Sequence, residues 1–141
     1  MAEPPISDIA YQQFLAENRL MGSRCAACNA LYVPPRQICV QCRGRDLAWK
    51  DMGGTGKIVA FTSIASGPSF MAADGFGRDR PYCTAVVELD EGPRVVARLE
   101  GVDASRPDQI ALGTPVIVRF IHRTAPSGPR TCLAFEPAPN P

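Results

Sequence analysis

Apolar and polar positions change rhythm along this chain of 141 residues. Between residues 7 and 22, Ile9, Phe14, Leu15 and Leu20 recur at helical spacing with Tyr11 nearby, which predicts an amphipathic helix. Ser7 or Asp8 can cap its start and Gly22 its end. Residues 23–50 show neither helical nor strand periodicity and hold too few apolar residues to bury a core of their own. From Gly53 the texture becomes β-branched. "GGTGKIVAFTSI" predicts a strand entered through a flexible corner. "YCTAVVELD" and "RVVARLEG" predict a hairpin across the turn "EGP". "TPVIVRFIHR" and "RTCLAFEP" predict two more strands across "APSGP". "DASRPDQIALG" joins the third strand to the fourth, with a helical turn at 107–111. Five short strands with one irregular connection suit a small closed barrel. The expected fold is therefore mainly β: a tail and helix at 1–22, a cysteine-bearing segment at 23–52, a barrel at 53–137 and a tail at 138–141.

The segment without periodicity carries the strongest motif. Four of six cysteines fall in "CAAC" and "CVQC", two C-x-x-C pairs separated by ten residues. Each pair sets two sulfurs on one tight turn, and two facing turns complete a tetrahedral S4 site, the geometry zinc prefers. Cys25, Cys28, Cys39 and Cys42 are thus expected to hold one Zn2+ per chain; iron takes the same ligands in rubredoxin-type knuckles. Four thiolates leave no position for water or substrate, so the metal is structural. A thioredoxin-like site would need one motif in a βαβ setting. Just past the second cysteine of such a turn the backbone favours φ > 0. Asn29 tolerates this after Cys28, whereas Arg43 precedes Gly44 after Cys42, which predicts a slightly different second turn. Between the pairs, "NALYVPPRQI" displays Leu31, Tyr32, Val33 and Ile38 as a candidate docking surface. Cys83 and Cys132 stand alone in apolar strands and read as small buried hydrophobes.

Composition narrows the function classes. The chain is 45% hydrophobic and 21% charged with a net charge of +1, a globular profile with no general attraction to nucleic acid or membranes. No basic-then-apolar leader and no membrane-length apolar run is visible, so the expectation is a cytoplasmic protein with reduced thiols. Only Lys50 and Lys57 are lysines among the 15 basic residues. Such an arginine bias suits anion contacts, and also a GC-rich coding sequence. No catalytic residue emerges. His122 lies inside an apolar strand with no Ser or Cys motif beside it. "GGTGK" lacks the full phosphate-loop pattern and precedes a strand instead of a helix. The stretch "GPSFMAADGFGRDRP" at 67–81 is long for a turn. It offers Phe70, Met71, Phe76, Arg78 and Arg80 as candidate contacts to a partner or to an acyl-CoA. The alternative is that its phenylalanines fold back on the barrel.

These pieces together resemble a family. "RLMGSRC", "CAAC", "PPR" at 34–36, "CVQC" and "LAWKDMGGTGKIVAFTSI", followed by "RPYCTAVVELDEGPRVVARLEG" and "ALGTPVIVRF", are similar to proteins joining a rubredoxin-like zinc ribbon to an OB fold. That family was long catalogued as a domain of unknown function and is encoded beside acyl-CoA enzymes. The resemblance covers about residues 8–137. It departs after Cys42, where family members more often carry Gly. It implies a non-catalytic accessory subunit of an acyl-CoA-processing complex, partnered with a thiolase or thiolase-like aldolase that supplies the nucleophilic Cys and acid–base groups. Family settings range from steroid side-chain and aromatic degradation to acylation and isoprenoid synthesis. CoA at the interface is part of that expectation. The rival reading is an OB fold that binds single-stranded nucleic acid. It would need a basic groove with stacking aromatics, and the second and third barrel strands offer Tyr82 alone.

Overall fold

A computed structural model describes residues 3–125 and 128–138, without the side chains of Phe70 and Ala125. The expected turn at 125–129 and tail at 138–141 lie partly outside these residues. Helix α1 spans Asp8–Ala16. Ser7 caps it, its hydroxyl accepting the Ala10 N–H at 3.1 Å. The helix stops well short of Gly22. Asn18 takes φ 62°, and the Asn18 and Arg19 N–H groups donate to the Leu15 and Phe14 carbonyls, both at 2.9 Å. This is a Schellman closure with Asn in the left-handed position. Gly22 lies instead in strand β1, Met21–Cys25. Its lack of a side chain matters there, because a Cβ would sit 2.3 Å from the Tyr32 carbonyl oxygen and 2.7 Å from Val33.

β1 is the central strand of a three-stranded antiparallel sheet. It pairs with β2 (Leu31–Tyr32) on one side and β3 (Leu47–Asp51) on the other. The ribbon's first strand therefore begins inside the segment that the apolar spacing assigns to the helix. Ile9, expected on the apolar stripe, is 73% exposed, while Tyr11, Phe14 and Leu15 are buried. Phe14 meets Trp49 of β3 edge-on at 4.8 Å between centroids, and Arg19 lies over the Phe14 ring.

Five strands close the barrel: β4 (Thr55–Ile64), β5 (Tyr82–Leu89), β6 (Arg94–Leu99), β7 (Pro115–Ala125) and β8 (Gly128–Pro137). Their order is β4-β5-β6-β8-β7, with β7 returning to β4. β6 and β8 run parallel, and the other neighbours are antiparallel. That circuit, with a shared first strand, is the OB-fold arrangement. Strict alternation builds it: Cys83, Ala85, Val87 and Leu89 of β5 and Val95, Ala97 and Leu99 of β6 point inward. "GGTGK" is the corner and opening of β4. Gly56 approaches β5 so closely that a Cβ would lie 2.3 Å from the Glu88 carbonyl. The stretch at 107–111 forms one 3-10 turn, Pro107–Gln109. The core is continuous across the modules: Tyr11, Leu15, Leu20, Val33 and Met52 join Ile58, Val87, Val116 and Phe135 in one cluster. Among the described residues, no helix is long and apolar enough to cross a membrane.

Candidate metal centre and the surfaces around it

The sheet brings the four paired cysteines together. β1 ends at Cys25 and opens the first knuckle; β2 then leads away toward the second, which returns through β3. The four sulfurs lie within 4.8 Å of one another. Cys25 and Cys42 Sγ are 3.5 Å apart, and Cys28 and Cys39 Sγ 3.4 Å. A tetrahedron with metal–sulfur bonds near 2.3 Å has edges of about 3.8 Å, so this donor set fits a four-coordinate cation. Cys25 and Cys39 are buried, and Cys28 and Cys42 face outward. The cluster therefore sits at the tip of the ribbon.

The two knuckles are built alike, which corrects the expectation of a different second turn. Asn29 N–H donates to the Cys25 carbonyl at 2.8 Å, and Cys25 N–H to Ala30 at 2.9 Å. In the second knuckle Arg43 N–H donates to Cys39 at 2.9 Å, and Cys39 N–H to Gly44 at 2.8 Å. Asn29 has φ 64° and Arg43 φ 63°. Arg43 itself thus takes the left-handed position where Gly would be unstrained.

Tyr32 reaches this centre in a way its sequence position does not reveal. Its hydroxyl is 3.3 Å from Cys39 Sγ and accepts the Val40 N–H at 2.9 Å. The hydroxyl contact, together with backbone N–H groups of Cys42 and Gln41, holds the Cys39 thiol down to about 6 and so favours the thiolate a cation needs. Behind the knuckles, buried Ser23 pins the "PPR" stretch. Its hydroxyl accepts the Arg36 N–H at 2.9 Å and donates to the Arg36 carbonyl at 3.2 Å.

Of the residues expected on display between the knuckles, Ile38 is exposed and Leu31 and Tyr32 are half-buried. Val33 is buried beneath Gly22 and belongs to the core, so its expected display is corrected. Sequence reasoning missed Val40, which at 63% exposed is barer than Ile38. These two residues flank buried Cys39, leaving apolar side chains at the ribbon tip. Five basic residues (Arg24, Arg36, Arg43, Arg45 and Lys50) stand in residues 21–51 against Asp46 and Asp51. A shallow groove of about 600 Å³ runs from Leu31–Arg36, past Val40 and Gln41, to Pro93 and Arg94 at the barrel's first hairpin.

The loop at 67–81 folds back on the barrel. It contains a short helix, α2 (Ser69–Ala73). Met71, expected to be exposed, is buried. Phe76 meets Tyr82 edge-on at 5.4 Å, with the guanidinium groups of Arg80 and Arg98 each about 4.5 Å from its centroid, at 4.4 and 4.5 Å. Asp74 pairs with Arg123 of β7. Arg78 and Arg80 remain exposed. The side chain of Phe70 lies outside the described set. His122 is a strut: its ring nitrogens bond Thr131 Oγ1 at 3.0 Å and Asn18 Oδ1 at 2.6 Å, tying the end of α1 to the barrel. Cys83 is buried, as its strand position predicts. Cys132 is only half-buried and lines a groove of about 590 Å³ between α1, β6 and β8.

A four-cysteine ribbon docked on a five-stranded OB barrel defines a two-module, metal-knuckle class of protein. Comparison with known proteins agrees. Residues 13–48 match the family model described as the ChsH2 rubredoxin-like zinc ribbon domain, and residues 49–120 that of the ChsH2 C-terminal OB-fold domain. The chain belongs to this family. A DUF35 domain-containing scaffold protein of Pyrococcus furiosus is 33% identical over 82% of this chain and 79% of its own length. A probable enoyl-CoA hydratase alpha subunit of Thermomonospora curvata is 35% identical over 74% of this chain, but this chain spans only 30% of that relative. The benzoylsuccinyl-CoA thiolase subunit BbsA of Geobacter metallireducens is 33% identical over 64% of this chain and 57% of that subunit. Among solved structures, one titled Ltp2-ChsH2(DUF35) aldolase aligns with a TM-score of 0.73 and 31% identity, covering 95% of this chain and 98% of the matched one.

Proposed function

We propose that this chain is a non-catalytic accessory subunit of an enzyme acting on acyl-CoA esters, with a thiolase-type partner that makes or breaks C–C bonds. Similarity to a thiolase subunit and to a chain in an aldolase structure supports the choice of partner. The observation that carries the reading is the ribbon tip. A closed four-sulfur site with Ile38 and Val40 bare beside it suits holding a docking surface, and it leaves no coordination position for chemistry.

In this reading Cys25, Cys28, Cys39 and Cys42 hold one zinc ion. The metal supplies a cross-link between the two knuckles. The apolar tip enters a pocket on the partner, with the ribbon's arginines at its rim. Arg78 and Arg80 contact the partner or the phosphates of its CoA ester. The test is co-expression with a thiolase-like protein of the same organism, followed by co-purification and assay on acyl-CoA esters. A stable complex, active where neither chain alone turns over, is the expected result. Tight, salt-dependent binding to single-stranded oligonucleotides, with no such complex, would instead favour the nucleic-acid reading.

A further inference from the structure

We infer that Tyr32 is a positioning residue of the metal centre, whose hydroxyl donates a hydrogen bond to the Cys39 thiolate. This rests on the reading that the four cysteines hold a metal. The direction of the bond follows from its partners. Tyr32 Oη already accepts the Val40 N–H at 2.9 Å, so its proton points elsewhere, and Cys39 Sγ lies 3.3 Å away. A metal-bound thiolate carries no proton and can only accept. Among the described residues, the other clustered cysteines that meet hydrogen-bond donors outside the cluster do so through backbone N–H groups, Ala30 to Cys28 and Gly44 to Cys42.

Of the four clustered cysteines, Cys39 alone therefore receives a side-chain donor from outside the cluster, and that donor comes from the opposite half of the ribbon. Tyr32 lies on β2, which follows the first knuckle, whereas Cys39 opens the second. One hydroxyl thus clamps the second knuckle at both Cys39 and Val40. It sets the orientation of a ligand and of the exposed tip residue together. Hydrogen bonds of this kind draw charge from a four-thiolate site that carries two excess negative charges on a divalent cation. Arg36, whose guanidinium lies 5.7 Å from the Tyr32 ring centroid, covers the ring.

The experiment loads the full-length protein with Co2+ and compares Tyr32→Phe, which keeps the ring, with Tyr32→Leu, which removes it. Losing a donor raises the energy of the sulfur lone pair, so the thiolate-to-cobalt charge-transfer band of Tyr32→Phe is expected at lower energy than in the parent. Zinc retention against a competing chelator is expected to fall about 10- to 100-fold. A Tyr32→Phe protein with the parent's band and retention, whether or not Tyr32→Leu is impaired, overturns the inference and leaves the metal reading intact. A parent protein that takes up no metal overturns the metal reading itself. Should Tyr32→Phe not fold, the parent loaded with 113Cd answers the question: the Tyr32 hydroxyl proton is expected to exchange slowly and to show scalar coupling to cadmium. A fast-exchanging, uncoupled hydroxyl overturns the inference.

Discussion

Arg43 carries a backbone conformation that side chains avoid. At φ 63° it repeats the turn made by Asn29 in the first knuckle, with the same pair of backbone hydrogen bonds around it. The left-handed region costs a non-glycine residue on the order of 1 kcal/mol. Arg43→Gly is therefore expected to raise ribbon stability by about that amount, read as a higher chelator concentration at half-loss of metal. The opposite extreme is Cys25. It is fully buried in the cluster, and the ribbon has no core of its own to fall back on. Cys25→Ala is expected to lose the metal and the order of residues 23–50 together, because in so small a module binding and folding share one free energy. Elemental analysis and hydrogen exchange across the ribbon measure both. A fully loaded, protected Cys25→Ala protein would sink the proposed ligand set.

Helix α1 and strand β1 show how elements are fitted to one another. The helix is only nine residues long, too short to persist alone in water, so tertiary packing must hold it. Leu15, almost fully buried, supplies that anchor within the shared core. Leu15→Ala is expected to cost about 2–5 kcal/mol, measured by denaturant unfolding. Gly22 is the tight point on the next element. Its Cβ would strike the Tyr32 carbonyl and Val33, so Gly22→Ala is expected to force β2 away from β1 and lower stability by about 1–3 kcal/mol. Since β2 carries Tyr32, the same variant is also expected to weaken metal retention.

At the scale of the molecule, ribbon, helix and barrel share one core, so the ribbon is presented at a fixed angle to the barrel. The exposed apolar residues at its tip do not contribute to that core. Ile38→Asp combined with Val40→Asp is thus expected to leave folding and metal content unchanged and to abolish co-purification with the proposed thiolase-type partner. Size-exclusion profiles of co-expressed chains give the readout, and an undisturbed complex would move the proposed interface elsewhere.

The amino-acid sequence by itself determined the paired cysteine knuckles and the five barrel strands. Those features depend on short-range geometry: two sulfurs per turn, and one buried side chain in every two along a strand. The end of α1 was also written locally, in Asn18, yet the apolar residue Leu20 extended the apparent stripe beyond it. Only the tertiary structure decided that Leu20 and Gly22 serve the ribbon, that Val33 and Met71 turn inward, and that Tyr32 reaches Cys39. Each of those outcomes depends on which distant segment arrives opposite. Spacing along the chain fixes which residues share a face, and packing between elements fixes what that face meets.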